Sequence, residues 1–158
     1  MIRDFQIQEQ KAVVSTFKAS ANMQTGAAVV KNYTNGTAGF PAANTAKNIF
    51  FADKERIPAG SKAAVSDLSD YDTGYTAIST GEYVKLRQYG PGERFAIDAF
   101  NASAAPNAGE VIEFSNSGQA IAAAANNASA YLCINNNYSD AGHRLLVIEV
   151  LQDALTQA

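Results

Sequence analysis

Residues 81–100, GEYVKLRQYGPGERFAIDAF, decide the fold class of this chain. Val84 and Leu86 alternate with Lys85 and Arg87, so that apolar side chains point one way and charged ones the other. The alternation returns in the second half of the stretch, and a period of two is typical of half-buried strands. The Gly-Pro-Gly link between the halves predicts a turn, because glycine and proline set the backbone angles that turns require.

The same organisation continues to residue 150. Three Gly-Glu pairs each precede an apolar segment, and these are Gly81-Glu82, Gly92-Glu93 and Gly109-Glu110. Further strands are predicted at 130–134 and 143–150, while residues 119–126 fit either a strand or one turn of helix. Five or six short strands predict an all-β fold in which residues 81–150 form a small antiparallel barrel or sandwich.

Residues 1–47 contain fewer large apolar side chains than the rest of the chain. A short strand is predicted at 12–17, and a second strand within 26–40 leads to a turn at Asn35-Gly36, the strongest short hairpin signal. A segment so poor in apolar anchors buries too little surface to order itself. We therefore expect an extended N-terminal arm, with a hairpin in it, that lies on a partner or on a neighbouring subunit.

Two further segments complete the predicted organisation. Residues 48–80 are expected to form a linker and an acidic loop, with carboxylates at Asp67, Asp70 and Asp72. The spacing within 70–74 resembles the start of a calcium loop, but glycine occupies position 74, and a solvated acidic loop fits better. Residues 151–158 are expected to form a C-terminal tail that frays or lies against a neighbour.

The composition is unusual for a chain of 158 residues and 16.7 kDa, because 47% of it counts as hydrophobic but 30 residues are alanine. Charge is also divided unevenly, since residues 1–62 hold eight Lys and Arg against four acids, and 63–158 hold four against eleven. A basic N-terminal part is suited to an acidic surface. The predicted partner-contact residues are Arg3, Phe5, Lys11, Phe17, Lys18, Lys31 and Tyr33.

Several classes of partner and chemistry are not expected. The basic residues are spread out and no nucleic-acid-binding motif occurs, so nucleic acid is a poor partner. No apolar run is long enough for a membrane span, and the first ten residues carry charges where a signal peptide needs an apolar stretch. Membrane binding is therefore not expected.

Enzyme motifs are absent, so we predict no catalytic residues, no metal site and no cofactor. Cys133 and His143 are the single cysteine and the single histidine of the chain. They lie on neighbouring predicted strands, so contact between them is possible, but nothing near them indicates an activated thiol. Cys133 is interpreted as a small buried apolar side chain.

Three segments resemble the head decoration (cement) proteins of tailed bacteriophages, namely NIFFADKERIPAG at 48–60, SDLSDYDTGYTAISTGEYVKLRQYGPGERFAIDAF at 66–100 and AGHRLLVIEV at 141–150. The resemblance implies a structural virion protein on the exterior of an icosahedral capsid, assembled in the host bacterium's cytoplasm. It implies a trimer of this chain that binds the major capsid protein and bridges neighbouring capsid subunits. The alternatives are a tail or baseplate structural protein, or a glycan-binding β module that stacks sugars on its tyrosines.

A first prediction concerns residues 143–150. Leu146 and Ile148 should share one buried face of a strand, so Leu146→Asp or Ile148→Asp should prevent folding by burying an unpaired charge, at a cost of several kcal/mol. Thermal denaturation followed by circular dichroism measures the effect. Leu155→Asp is the control in the predicted tail, and normal thermal stability of either core variant would contradict the assigned strand phase.

Overall fold

The structure is a computed structural model that describes residues 1–7, 13–54 and 76–158, with only the backbone described at 13–15. The described residues form thirteen β-strands joined by turns, which confirms the predicted all-β class. The strands are β1 (Ile2–Gln6), β2 (Val13–Ala19), β3 (Met23–Gln24), β4 (Ala28–Asn32), β5 (Thr37–Gly39), β6 (Phe50–Asp53), β7 (Ala77–Ile78), β8 (Tyr83–Arg87), β9 (Arg94–Ile97), β10 (Ile112–Phe114), β11 (Ala120–Ala122), β12 (Ala128–Asp140) and β13 (His143–Thr156).

Five strands close into a barrel in the order β2-β5-β4-β6-β8. The pairings are antiparallel except for β2 with β5, which is parallel. A barrel of so few strands leaves a narrow interior, and small side chains fill it. Its buried cluster is Ala19, Met23, Ala27, Val29, Ala38, Ala52, Ile78, Val84 and Leu86.

A four-stranded antiparallel sheet in the order β1-β9-β13-β12 packs beside the barrel. The long strands β12 and β13 form a hairpin whose two-residue turn has positive φ at Ala141 and Gly142, as a type I′ turn requires. The two edge strands, β1 and β12, are linked through their side chains, because Arg3 Nε lies 2.8 Å from Asp140 Oδ2. The sheet is therefore curled.

Phe51 joins the barrel to the sheet. Its strand β6 hydrogen-bonds within the barrel, but the Phe51 ring points out of the barrel and is fully buried. The ring centroid lies 4.7 Å from that of Phe95, 5.4 Å from Phe114 and 5.7 Å from Tyr89. This aromatic group is the centre of the main core, since β6, β9 and β10 each contribute a ring to it.

A polar network ties the same strands together at one edge of the core. Arg87 donates to Asp53 and to Asp4 at 2.7 Å each, and the Tyr89 hydroxyl donates to the other oxygen of Asp4. Burial alone would lower the pKa of Arg87, but the carboxylates of Asp53 and Asp4 together raise it by more. The pKa of Arg87 therefore lies above its ordinary value. Burial and the bond to Asp4 raise the pKa of Tyr89, and this network links β1, β6 and β8.

The three Gly-Glu pairs are one repeated turn. In each, the glycine has positive φ and the glutamate N–H donates to the carbonyl three residues earlier, as in a type II turn with glycine at its third position. The glutamate carboxylate also accepts a bond from the N–H of that earlier residue, from Ser79, Gly90 or Asn107. The bond from Ser79 and the nearby Lys54 lower the pKa of Glu82. Each pair therefore forms the turn that leads into the next strand, β8, β9 or β10.

The strand pairing differs from the predicted division into arm and barrel. Strands β2, β4 and β5 lie within the sequence predicted as an arm, yet they are three of the five barrel strands, and β1 pairs with β9. The predicted hairpin is present, since β4 and β5 pair around residues 33–36. The barrel was placed within 81–150, but β8 is its only strand from that range among the described residues. The prediction of an extended arm was wrong. Alanine and valine are large enough to fill the narrow interior of this barrel, so the N-terminal strands are ordered without large apolar side chains.

Two smaller corrections concern the C-terminal half. The predicted tail is mostly strand, because β13 runs to Thr156 and pairs there with Ala128. Residues 120–122 form β11, which settles the ambiguity between helix and strand at 119–126. The acidic residues Asp67, Asp70 and Asp72, with the calcium-like spacing, lie outside the described residues. Leu146 and Ile148 are both fully buried in the main core, as predicted.

Phe51→Ala should lower the free energy of unfolding by about 3–5 kcal/mol, because it removes the ring that the other aromatic side chains pack against. Phe5→Ala is the matched control, since Phe5 is 46% exposed. Of the aromatic side chains described, it contacts only Tyr138, edge to face. Phe5→Ala should therefore lower the free energy of unfolding by about 1 kcal/mol or less. Urea denaturation followed by tyrosine fluorescence measures both. Equal losses in the two variants would contradict the central role of Phe51.

Candidate functional site: an aromatic and lysine-bearing surface of the barrel

Four side chains meet at the end of the barrel where β4 ends and β5 and β6 begin. The Lys31 ammonium lies over two rings, 4.0 Å from the Phe50 centroid and 5.3 Å from that of Phe17. Tyr33 packs edge-to-face on Phe17 at 5.5 Å. A cation above an aromatic face is attracted by the ring quadrupole, so the Lys31 ammonium is held over the two rings while its stem covers apolar surface.

Local sequence explains why these residues converge. Val29 points into the barrel, and because side chains alternate along β4, Lys31 points the same way at the strand's end. Asn32 then closes the turn, since its Oδ1 accepts bonds from the N–H groups of Thr34 and Asn35. Tyr33 is thereby held at the first position after β4, with 77% of its surface exposed.

A second pair lies on the outer face of the neighbouring strands β2 and β8. Lys18 and Tyr83 are direct cross-strand partners, and the Lys18 ammonium lies 5.2 Å from the Tyr83 ring centroid. Tyr83 is 67% exposed, and with Tyr33 it is one of the two most exposed large hydrophobic residues described. We name the six residues of both groups, Phe17, Lys18, Lys31, Tyr33, Phe50 and Tyr83, the barrel surface.

The charge of the barrel surface is not neutralised within the described part of the chain. Lys18 and Lys31 form no ion pair there, whereas Lys54, Arg87 and Arg94 each contact a carboxylate. Exposed tyrosine rings beside uncompensated ammonium groups form a surface suited to a partner with carboxylates and apolar pockets.

The structure brings Phe17, Lys31 and Tyr33 into contact with one another, and it places Lys18 next to them on β2. Arg3 and Phe5 instead contact β12 of the same chain, at Asp140 and Tyr138. Lys11, also predicted as a partner contact, lies outside the described residues.

Sequence reasoning missed Phe50 and Tyr83. The alternation of Tyr83 with Val84 and Leu86 already placed Tyr83 on the outward face, so that signal was available. For Phe50, the apolar patch 49–51 does not show which ring faces the main core and which faces the end of the barrel. That choice follows from the pairing of β6 with β4 and β8.

Cys133 and His143 are not brought together. Cys133 is fully buried and donates to the Pro106 carbonyl at 3.4 Å. Its cross-strand partner is Ile148, and His143 precedes Ile148 by five positions on β13. At the rise of a β-strand, this places His143 roughly 16 Å from Ile148. Burial, together with the nearby carboxylate of Glu110, raises the pKa of the Cys133 thiol to about 11. The environment of Cys133 is therefore that of an inert core residue.

The described residues contain no group of three or more His, Cys, Asp or Glu side chains arranged to hold a metal ion. None of the helical structure found in those residues is long and apolar enough to cross a membrane. Comparisons with protein-family models, with curated proteins and with solved structures find no match to this chain.

The environment of Cys133 predicts its reactivity. At about pH 8, below its raised pKa, the thiol stays protonated and buried, so iodoacetamide should modify the folded chain far more slowly than the urea-unfolded chain. A Ser139→Cys variant in a Cys133→Ala background is the control, because Ser139 is exposed on β12. Mass spectrometry follows both reactions, and modification of native Cys133 as fast as the control thiol would contradict the assignment.

Proposed function

We propose that this chain is a structural virion protein that binds the outer surface of an icosahedral phage capsid through the barrel surface. Two observations support the proposal. The segments 48–60, 66–100 and 141–150 resemble capsid decoration proteins, and the barrel surface presents two exposed tyrosines beside two uncompensated lysines. The second observation is the one that supports binding through the barrel surface. The proposal assigns the chain a binding role and no catalytic residue.

The chemistry of the barrel surface is that of a binding hot spot. Tyrosine supplies a large contact area with few rotatable bonds, and an ammonium that already lies over a ring loses little further freedom on binding. The closed barrel holds Tyr33 and Tyr83 in place before the partner arrives, which reduces the entropy cost of association. The expected capsid partner offers carboxylates opposite Lys18 and Lys31.

Copies of the same chain are the second proposed partner. Glu110 and Asp153 form no ion pair with described residues, and both lie in the C-terminal half, away in sequence from the lysines of β2 and β4. Opposite charges on different surfaces of one chain favour a head-to-tail contact, and such a contact gives a ring when the rotation closes. The trimer proposed for the capsid is one such ring.

The proposal predicts saturable binding of the purified chain to capsids that lack it, measured by co-sedimentation. A Tyr33→Ser, Tyr83→Ser double variant should bind at least about tenfold more weakly, because it removes both exposed rings of the barrel surface. Added salt should weaken the remaining attraction, since the lysines are exposed.

Leu155→Ser is the matched control, because Leu155 is 49% exposed on β13 and lies outside the barrel surface. It should bind like the unaltered chain. Failure of the unaltered chain to co-sediment with such capsids would overturn the proposal, and binding to isolated tails instead would favour the tail or baseplate alternative. Equal losses in the double variant and in Leu155→Ser would remove the barrel surface from the binding mode.

A further inference from the structure

A cleft of about 420 Å³ opens on a different part of the molecule from the barrel surface. It lies between the β3–β7 pair, the end of β9 and the turn at 115–118, and shares no residue with the barrel surface. Its volume falls in the ordinary range of small-molecule pockets, roughly 300–1,000 Å³. We name it the polar cleft.

The lining of the polar cleft includes apolar side chains. Met23 and Ala27 are buried in the barrel cluster, and Phe40 packs partly against it. Gly118 makes room for that ring, because a Cβ there would lie 2.7 Å from Phe40 Cδ1 and 2.8 Å from the Ala28 carbonyl oxygen. This part of the lining is thus pre-formed and offers an apolar surface of the kind that packs on the C–H face of a sugar ring.

Two amides line the cleft with their orientation set by neighbours. Gln24 Oε1 accepts a bond from Thr76 Oγ1 at 2.7 Å, and Asn22 Oδ1 accepts bonds from the N–H and hydroxyl of Thr80 at 2.9 and 3.0 Å. Since the oxygens are engaged, the NH₂ donors of both amides are left without a partner among described residues. The amide of Gln119, also in the lining, forms no side-chain bond there.

The charge of the cleft is balanced. Among the described residues, Asp98 is the only charged one in the lining, and Asp98 Oδ1 accepts a bond from the amino group of Met1 at 2.5 Å. The other carboxylate oxygen has no partner among the described residues and can accept a hydrogen bond from a hydroxyl group. Since the described part of the lining supplies no uncompensated cation, it offers no counter-charge to phosphate, sulfate or a carboxylate ligand, which would be partly desolvated there.

We propose that the polar cleft binds a neutral saccharide unit, a hexose or an N-acetylhexosamine. The NH₂ groups of Asn22 and Gln24, which have no partner among the described residues, donate to sugar hydroxyl oxygens, and Asp98 accepts a hydrogen bond from a sugar hydroxyl. Phe40, which is only partly buried, contacts the apolar face of the ring. The combination of fixed amides, one carboxylate and an apolar wall suits a ligand that carries donors and acceptors on every carbon but no charge.

The test uses the full chain with lactose, maltose and N,N′-diacetylchitobiose as probes. Chemical-shift changes of the Asn22, Gln24 and Gln119 side-chain NH₂ signals in ¹H–¹⁵N spectra locate binding, and titration gives the affinity. At least one disaccharide should shift these signals saturably at millimolar concentration.

Gln24→Glu keeps the oxygen that accepts from Thr76 Oγ1 but removes both NH₂ donors, so it should weaken binding by about tenfold. Gln152→Glu is the control, because it makes the same charge change on an exposed residue of β13 that does not line the cleft. Circular dichroism verifies that both variants fold.

Three results would overturn the inference. They are the absence of a saturable shift with all three disaccharides, equal affinity of Gln24→Glu and Gln152→Glu for the sugar, and stronger binding of inorganic phosphate than of any sugar at the same signals. Because the cleft and the barrel surface are separate, each of these results is independent of capsid co-sedimentation.

Discussion

The packing of Phe51 against the rings of Phe95, Phe114 and Tyr89 is the contact on which the rest of the structure depends. The strand that carries Phe51, β6, is hydrogen-bonded within the barrel, yet every second side chain of β6 points out of the barrel and into the main core. One short strand therefore holds barrel and sheet together. Arg87 is the cross-strand partner of Phe51 on β8, so its bonds to Asp53 and Asp4 lie at the same junction.

The small interior of the barrel explains the unusual composition. A closed barrel of five strands has little room inside, and six of the nine residues in its buried cluster are alanine or valine. The alanine-rich N-terminal sequence is consequently barrel wall, and its weak hydrophobicity does not require a partner for order. The same closure gives the barrel surface a rigid support, since Lys31 and Tyr33 lie at the end of a strand that is paired on both sides.

The two proposed binding regions use opposite chemistry on one scaffold. The barrel surface has exposed rings and uncompensated ammonium groups, which suit a large acidic protein surface. The polar cleft has oriented amides and a balanced charge, which suit a small neutral ligand. Both depend on turns: the Asn32 turn positions Tyr33, and Gly118 leaves space for Phe40. A capsid-bound copy could therefore carry a free saccharide site.

The sequence by itself determined the local features, because each depends on a few consecutive residues. The period-two pattern of 83–87, the hairpin at Asn35-Gly36 and the buried phase of Leu146 were all predicted correctly. Phe17, Lys31 and Tyr33 were named as partner contacts, but the sequence did not show that they meet. The tertiary structure decided which strands pair, above all β2 with β5 in parallel and β1 with β9. Those pairings join residues far apart in the chain, and side-chain alternation is the same whichever neighbour a strand takes.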